Sequence, residues 1–383
     1  MSDSWISLSD PDISQAELEA AGDVLRSPRI SAGERVAAFE TAFAAWLGRR
    51  HAIAVPSGTL GLLLCLTAYG IGPGDEIVLS PYSRHQIGHA VALRGARSVF
   101  ADIDYWSGTI APESARQLIT ANTRAVLAGN TNGHPAPWSL LRTLAQEAGV
   151  PLLEDSSEAI GSRYEGSLVG SFGDCAIFDF SQPSPLVCGE GGIIVTDDDD
   201  LAGRLRHHRA HGPREQASVV ASTRIPYQAA MSDLSAAIGL VQLSRLDGIL
   251  ARRRQVEVWY YEYMKSFEGI KDPYRAPEAT EVHWHLYEVH LGTRFSRSSR
   301  DAIVEDLRKE EIEAAPYCHP MHLQGAYRQP GTQRVRCPTV ERVADRTLVL
   351  PFHGHLQEEQ IAFIIQTLKD ASVNVGAGAA IYL

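Results

Sequence analysis

Apolar positions along this chain change their spacing several times, and each change predicts an element. Residues 15–27 and 34–48 repeat apolar side chains near every 3.6 positions, which predicts two helices. Short apolar runs then alternate with longer helical patterns. The runs predict strands at 51–55, 76–79, 98–101, 125–127, 151–154, 175–180 and 192–196. The patterns between them predict helices at 60–69, 85–94 and 138–148. Strands alternating with helices imply an α/β fold with a mainly parallel sheet covered on both faces. Functional groups of such a sheet collect at the carboxyl ends of its strands. Ser57, Asp155 and Asp179 all fall at such ends.

From Met231 onward the pattern is helical. Met231, Leu234, Ile238 and Val241 form one apolar strip, and Leu240, Leu243, Leu246 and Leu250 a second. Two strips predict a helix buried around much of its circumference, with these side chains in the core. Beyond it the pattern predicts strands around 285–291 and helices at 298–310 and 357–370. The expected organisation is a large α/β domain over 1–245, with an N-terminal helical arm, and a smaller α/β domain over 246–383. The Gly/Ala-rich tail, 371–383, reads as a loosely held end.

Composition narrows the function classes. The chain has 383 residues, 44% of them apolar, enough for a sizeable core. Its net charge is -11 with acids and bases interspersed, and no basic block suited to a phosphate backbone. Nucleic-acid binding is therefore not expected. Arg252, Arg253 and Arg254 read as a solvated helix face, and Asp197–Asp200 as a turn after a strand. No apolar stretch reads as a membrane span and the first residues lack a signal peptide, so a cytoplasmic protein is expected. Five widely spaced cysteines (65, 175, 188, 318 and 337) point to free thiols in a reducing compartment. Cys318, His319, His322, His353 and His355 have spacings that metal ligands can take. His207, His208 and His211 read as surface residues after a helix end.

Several segments are similar to a known family. They include 29–48 (RISAGERVAAFETAFAAWLG), 55–62 (VPSGTLGL), 152–181 (LLEDSSEAIGSRYEGSLVGSFGDCAIFDFS), 189–198 (GEGGIIVTDD), 231–247, 316–327 (PYCHPMHLQGAY) and 350–356 (LPFHGHL). In order and with small gaps they resemble the DegT/StrS-type sugar aminotransferases. That resemblance implies fold type I of the pyridoxal phosphate (PLP) enzymes, an active site shared across a dimer, and sugar-nucleotide substrates. It implies that Gly58 and Thr59 offer an N–H group and a hydroxyl to the cofactor phosphate. Asp155 matches the acid facing the pyridine nitrogen, and Glu158 the residue beside the ring. The 316–327 segment matches a substrate loop, which favours that role over a metal site. His283 and His285 match an aromatic-His stretch and read as packing groups.

The departures from the family pattern are as informative. Residues 173–192 (GDCAIFDFSQPSPLVCGEGG) need no gap, so their register is firm. The Schiff-base lysine position carries Ser184, and the phosphate-contacting Ser position carries Asp179. Arg84 stands where the ring-stacking aromatic is expected. Gln228 opens the Gln-Ala-Ala that replaces an Asn-aromatic-Arg segment, which would reach the partner's phosphate. All four lysines (265, 271, 309 and 369) lie in the last third, and 31 arginines accompany them. A bias toward arginine explains the low count. It does not explain a missing catalytic lysine, since a guanidinium stays protonated and forms no imine. A serine hydroxyl forms none either, and would need Glu158 or Asp179 beside it to act in proton transfer.

The favoured reading is a lysine-less homologue that binds a sugar-nucleotide-like or amino-sugar ligand, with altered or lost catalysis, and with PLP or its amine form, PMP, held non-covalently or no cofactor at all. One alternative is a dehydratase or isomerase holding PLP or PMP without a covalent link. Another is a non-catalytic subunit paired with a lysine-containing paralogue. A homodimer is the default assembly that the resemblance implies. A conventional transaminase with lysine from elsewhere in the chain is the least favoured.

Overall fold

A computed structural model of the protein describes residues 5–210, 225–265, 267, 269–327 and 335–375. His211 and the end of the tail, 376–383, lie outside them. Seven strands form the main sheet: β1 (His51–Val55), β2 (Glu76–Leu79), β3 (Arg97–Phe100), β4 (Thr123–Gly129), β5 (Leu152–Asp155), β8 (Cys175–Asp179) and β9 (Gly192–Thr196). Their order is β1-β9-β8-β5-β4-β2-β3. The block from β8 to β3 is parallel, and β9 runs antiparallel to both its neighbours. The fold is α/β and the sheet is mainly parallel, as the alternation predicts. A small hairpin, β6 (Arg163–Tyr164) with β7 (Ser167–Leu168), leads from β5 to β8.

Period-two alternation distributes the strand residues between layers. In β2, Ile77 and Leu79 join the core beneath the helices Gly58–Ala68 and Gln86–Leu93, while Val78 faces Trp138, Leu141 and Leu144 of the helix Trp138–Ala148. In β8, Ala176 and Phe178 join Phe39, Phe43 and Phe180 in an aromatic core on the opposite face from Cys175 and Ile177. These strands are buried on both faces, which is why they read as continuous apolar runs.

The second sheet is antiparallel, β10 (Ile270–Lys271), β11 (Tyr287–Leu291) and β12 (Thr347–Leu350) in that order. It packs with the helices Arg297–Lys309 and Glu358–Asn374 around Tyr260, Tyr287 and Phe352. Ile6 of the N-terminal arm joins this second core, through a bridge to Ile312.

One helix, Asp233–Met264, links the two cores. Leu246 and Leu250 belong to the aromatic core, Val256 and Tyr260 to the second, so residues 245 and 246 sit inside one unbroken helix. Met231 precedes it, and the N-cap is Ser232, whose Oγ accepts Ser235 N–H at 3.1 Å. The two apolar strips are less buried than their spacing predicts. Leu234, Ile238, Leu240, Val241 and Leu243 are only half-buried. The buried line instead includes Ala236, Gly239, Gln242 and Arg253. Gly239 lets the helix lie close to Phe39, since a Cβ there would press to 3.0 Å from the Phe39 ring. Small and polar residues on the buried line are invisible to a hydrophobic pattern. This helix is also long and apolar enough to cross a bilayer by length and composition, which corrects the sequence expectation. It lies against the helices Gln15–Arg26, Glu34–Leu47 and Glu358–Asn374, where a core helix meets the same criteria. His207 and His208 belong to the last turn of the helix Asp199–Arg209 rather than following it. Asp198 caps that helix through Leu201 N–H at 2.8 Å, so the acidic run is a helix start and not a plain turn.

Candidate active site

Three strand ends and one helix build the site. After β1, Ser57 caps the helix that begins at Gly58, its Oγ accepting Leu60 N–H at 3.3 Å. The end of β8 brings Asp179 over that helix start. Its Oδ2 accepts Gly58 N–H at 2.7 Å, a bond to the positive end of the helix. Its Oδ1 accepts Ser181 N–H at 3.0 Å, the Ser181 hydroxyl, and Arg84 Nη2 at 3.4 Å. Arg84 Nη2 also donates to Ser181 Oγ at 3.1 Å. Among the described residues no acceptor meets the buried Arg84 Nη1.

Asp155 ends β5 and is similarly engaged. Its Oδ2 accepts Gln86 Nε2 at 2.7 Å, and its Oδ1 accepts Ser157 N–H at 3.1 Å and Ser157 Oγ at 2.6 Å. Gln86 Nε2 also donates to Ser157 Oγ at 2.8 Å. Its Oε1 lies 2.7 Å from where a Gly58 Cβ would stand, and Asp179 Cβ lies 2.9 Å from the same point. Only glycine fits beneath these two side chains. Glu158 is buried nearby, its Oε2 accepting Asn132 N–H at 2.8 Å and the Tyr317 hydroxyl at 2.6 Å. Tyr82 packs on Tyr317 and donates to Glu288 Oε1 at 2.8 Å.

Burial governs the titration of this cluster. It raises the Asp155 carboxyl above the usual range, against the bonds from Ser157 and Gln86 and the charge of Arg84. It raises Glu158 likewise, opposed first by Arg84. Glu288 is pushed up to about 8 by burial, with Glu158 adding to the effect. Burial and the nearby Arg84 push His285 well below its ordinary value, so its ring is neutral at pH 7.

Sequence reasoning placed Gly58, Arg84, Asp155, Glu158 and Asp179 in one site, and the structure brings these five together. Thr59 is half-buried on the same turn. Ser184 is buried, and its Oγ accepts Leu186 N–H at 3.3 Å. Gln228 is exposed, with a positive φ of 53°, on a segment bonded to the helix end at His208 and Arg209. It joins none of the described contacts of the cluster. Sequence reasoning missed Gln86, Ser157, Ser181, Tyr82, Tyr317 and Glu288. Gln86 lies two residues from Arg84, and that proximity was the one available signal.

These residues do not fit PLP as they stand. Position 184 supplies no amine. The Gly58 N–H that would meet a phosphate already holds a carboxylate. A unit charge pair near 4 Å is worth about 4 kcal/mol at an effective permittivity of 20, so a phosphate dianion beside Asp179 is strongly disfavoured. The acid expected to face the ring nitrogen is bonded to Gln86. The four lysines make their described contacts outside this cluster. Lys265 and Lys309 pair with Glu262 and Asp306 on the surface, Lys369 donates to Tyr263 O at 3.0 Å, and Lys271 is exposed on β10. Among the described residues no three His, Cys, Asp or Glu side chains come together as a metal site. Cys318 faces Ser83 O at 3.7 Å, and His322 pairs with Glu341. All five cysteines are free thiols.

The sheet order, the glycine turn and the acids at the strand ends define a fold type I protein of the PLP aminotransferase class. The chain belongs to the DegT/DnrJ/EryC1/StrS aminotransferase family, which it matches over residues 11–369. It is 32% identical over 371 residues to the spore coat polysaccharide biosynthesis protein SpsC of Bacillus subtilis, covering 94% of this chain and 95% of that one. It is 34% identical over 344 residues to GDP-perosamine synthase of Caulobacter vibrioides, covering 90% and 91%. Two solved structures are similar throughout. The aminotransferase TlmJ from Streptoalloteichus hindustanus has 30% identity, a TM-score of 0.89 and coverage of 97% and 100%. DesV from S. venezuelae, in complex with a ketimine intermediate, has 31% identity, a TM-score of 0.87 and coverage of 96% and 98%.

Proposed function

We propose that this chain is a lysine-less homologue of the sugar-nucleotide aminotransferases that binds a sugar-nucleotide-like ligand and does not transfer an amino group. This reading is supported by Ser184, which matches the position of the family's imine lysine in the sequence, and by the described contacts of the four lysines, which lie elsewhere. The ligand class is supported by the relative whose name concerns a GDP-linked sugar. It is supported also by Arg84, whose Nη1 has no acceptor among the described residues and would be satisfied by an anionic group of the ligand. Glu288, pushed up to about 8, supplies a neutral hydrogen-bonding group for a polyol beside Glu158 and the Tyr82 and Tyr317 hydroxyls.

A homodimer fits the half-buried strip at Leu234, Ile238 and Val241 and the exposed Gln228, which offer a second copy an apolar and a polar contact. Calorimetry with a panel of nucleotide sugars tests the binding reading. Saturable binding that weakens at least about tenfold in Arg84→Ala is the expected result. An amino-transfer assay with glutamate and keto sugars tests the other half, and turnover above background would overturn it.

A further inference from the structure

We infer that Asp179, Gln86 and Arg84 occupy the cofactor place with the chain's own side chains, so that this family member excludes PLP by self-occupation. The inference goes beyond the missing lysine, because a serine at position 184 removes only the covalent link and leaves a phosphate cup free to bind.

Three contacts carry it. Asp179 Oδ2 takes Gly58 N–H at 2.7 Å, the donor that the start of the helix would otherwise offer an anion. Gln86 Nε2 takes Asp155 Oδ2 at 2.7 Å, the acceptor that would otherwise face a ring nitrogen. Arg84 closes the arrangement from outside, bonding both Asp179 and Ser181. The space between the cup and the acid is filled as well as its bonding groups. A Gly58 Cβ would meet Gln86 Oε1 at 2.7 Å and Asp179 Oδ2 at 2.9 Å. One carboxylate therefore stands in for the phosphate, and one carboxamide for the ring nitrogen. Their combined bonds leave Gly58 N–H and Asp155 satisfied, which a buried donor and a buried acid require. A phosphate entering the cup would have to displace a carboxylate already bonded four ways and then sit beside its charge.

The test restores the cup one layer at a time and reads cofactor retention after gel filtration. The wild type and Ser184→Lys are expected to retain no PLP, although the second supplies the amine. Adding Asp179→Ser and Gln86→Ala to Ser184→Lys is expected to tighten PLP by about a hundredfold or more. In that triple variant the Lys Nζ adds to the cofactor aldehyde and water departs. The resulting C=N bond gives a visible absorption band, and borohydride fixes the cofactor mass on residue 184. Stoichiometric PLP in the wild type or in Ser184→Lys alone would overturn the inference, as would a folded triple variant that binds no better than Ser184→Lys. Circular dichroism and the melting temperature establish folding. A second measurement needs no variant: the Gly58 amide resonance of the wild type should stay unmoved on titration with PLP or inorganic phosphate. A saturable shift of that resonance would overturn the inference as well. The nucleotide-sugar titration is a separate readout, so failure of one reading leaves the other standing.

Discussion

Two regions of this molecule bury carboxylates beside arginines, and they do so to opposite effect. At the N-terminal arm, Asp12 and Glu17 meet Arg245 and Arg252 of the linking helix, and Gln242 adds Nε2 bonds of 2.7 Å to Asp12 O and Glu17 Oε1. Burial pushes Glu17 up, but bonds from Ser14, Gln242 and Arg245 outweigh it and hold the carboxyl at about 2. At the strand ends, Asp155, Glu158 and Glu288 share the influence of one guanidinium, Arg84, or have none, and burial wins. The first region is balanced charge that ties an arm to a helix. The second is an excess of acid whose carboxyls burial shifts upward, Glu288 furthest, to about 8. Buried excess of that kind is the mark of a site, whereas the clamp serves architecture.

The largest effect that sharpens this contrast is expected at the clamp. Arg245→Ala leaves Glu17, 2% exposed, without its guanidinium. Chemical denaturation should show a loss of about 3 kcal/mol, and a change near zero would make the clamp ornamental. The pH dependence comes next. The folded Glu17 carboxyl lies below its unfolded value of 4.5, so its stabilisation is present above pH 4.5 and is lost as pH falls toward 2. Glu288 has the opposite sign. Its folded value of about 8 exceeds 4.5, so the folded state holds the extra proton and stability declines as pH rises from 4.5 to 8. Glu288→Gln should therefore raise the melting temperature at pH 8.5 and leave it nearly unchanged at pH 4.5. Equal shifts at both values would refute the assignment. The smallest effect tests the lysines. Replacing Lys265, Lys271, Lys309 and Lys369 together by arginine should change neither the melting temperature nor nucleotide-sugar binding. A loss of binding would return a lysine to the site.

The large sheet was legible where strands are apolar on both faces. Glu76–Leu79, Gly192–Thr196 and His51–Val55 begin and end where the pattern placed them, as does the helix Trp138–Ala148. The linking helix was legible as a helix but not in its orientation, since Gly239 and Gln242 on the buried line carry no apolar signal. In the site, Asp155 and Asp179 could be placed because each ends a strand, and chain order puts strand ends together. Gln86 could not, because its role depends on the reach of one side chain across a helix start. Tyr82 and Glu288 meet across 206 positions, and no spacing argument spans that interval.

By itself the sequence determined the α/β class, the strand-end placement of Asp155 and Asp179, and the absence of a lysine from the first 264 residues. Those follow from periodicity and residue chemistry, which act locally. Only the tertiary structure decided that Asp179 reaches Gly58 N–H, that Gln86 covers Asp155, and that three acids share one buried cluster. Each of those outcomes depends on distances between segments far apart in the chain, and on burial that raises a carboxyl above its ordinary range.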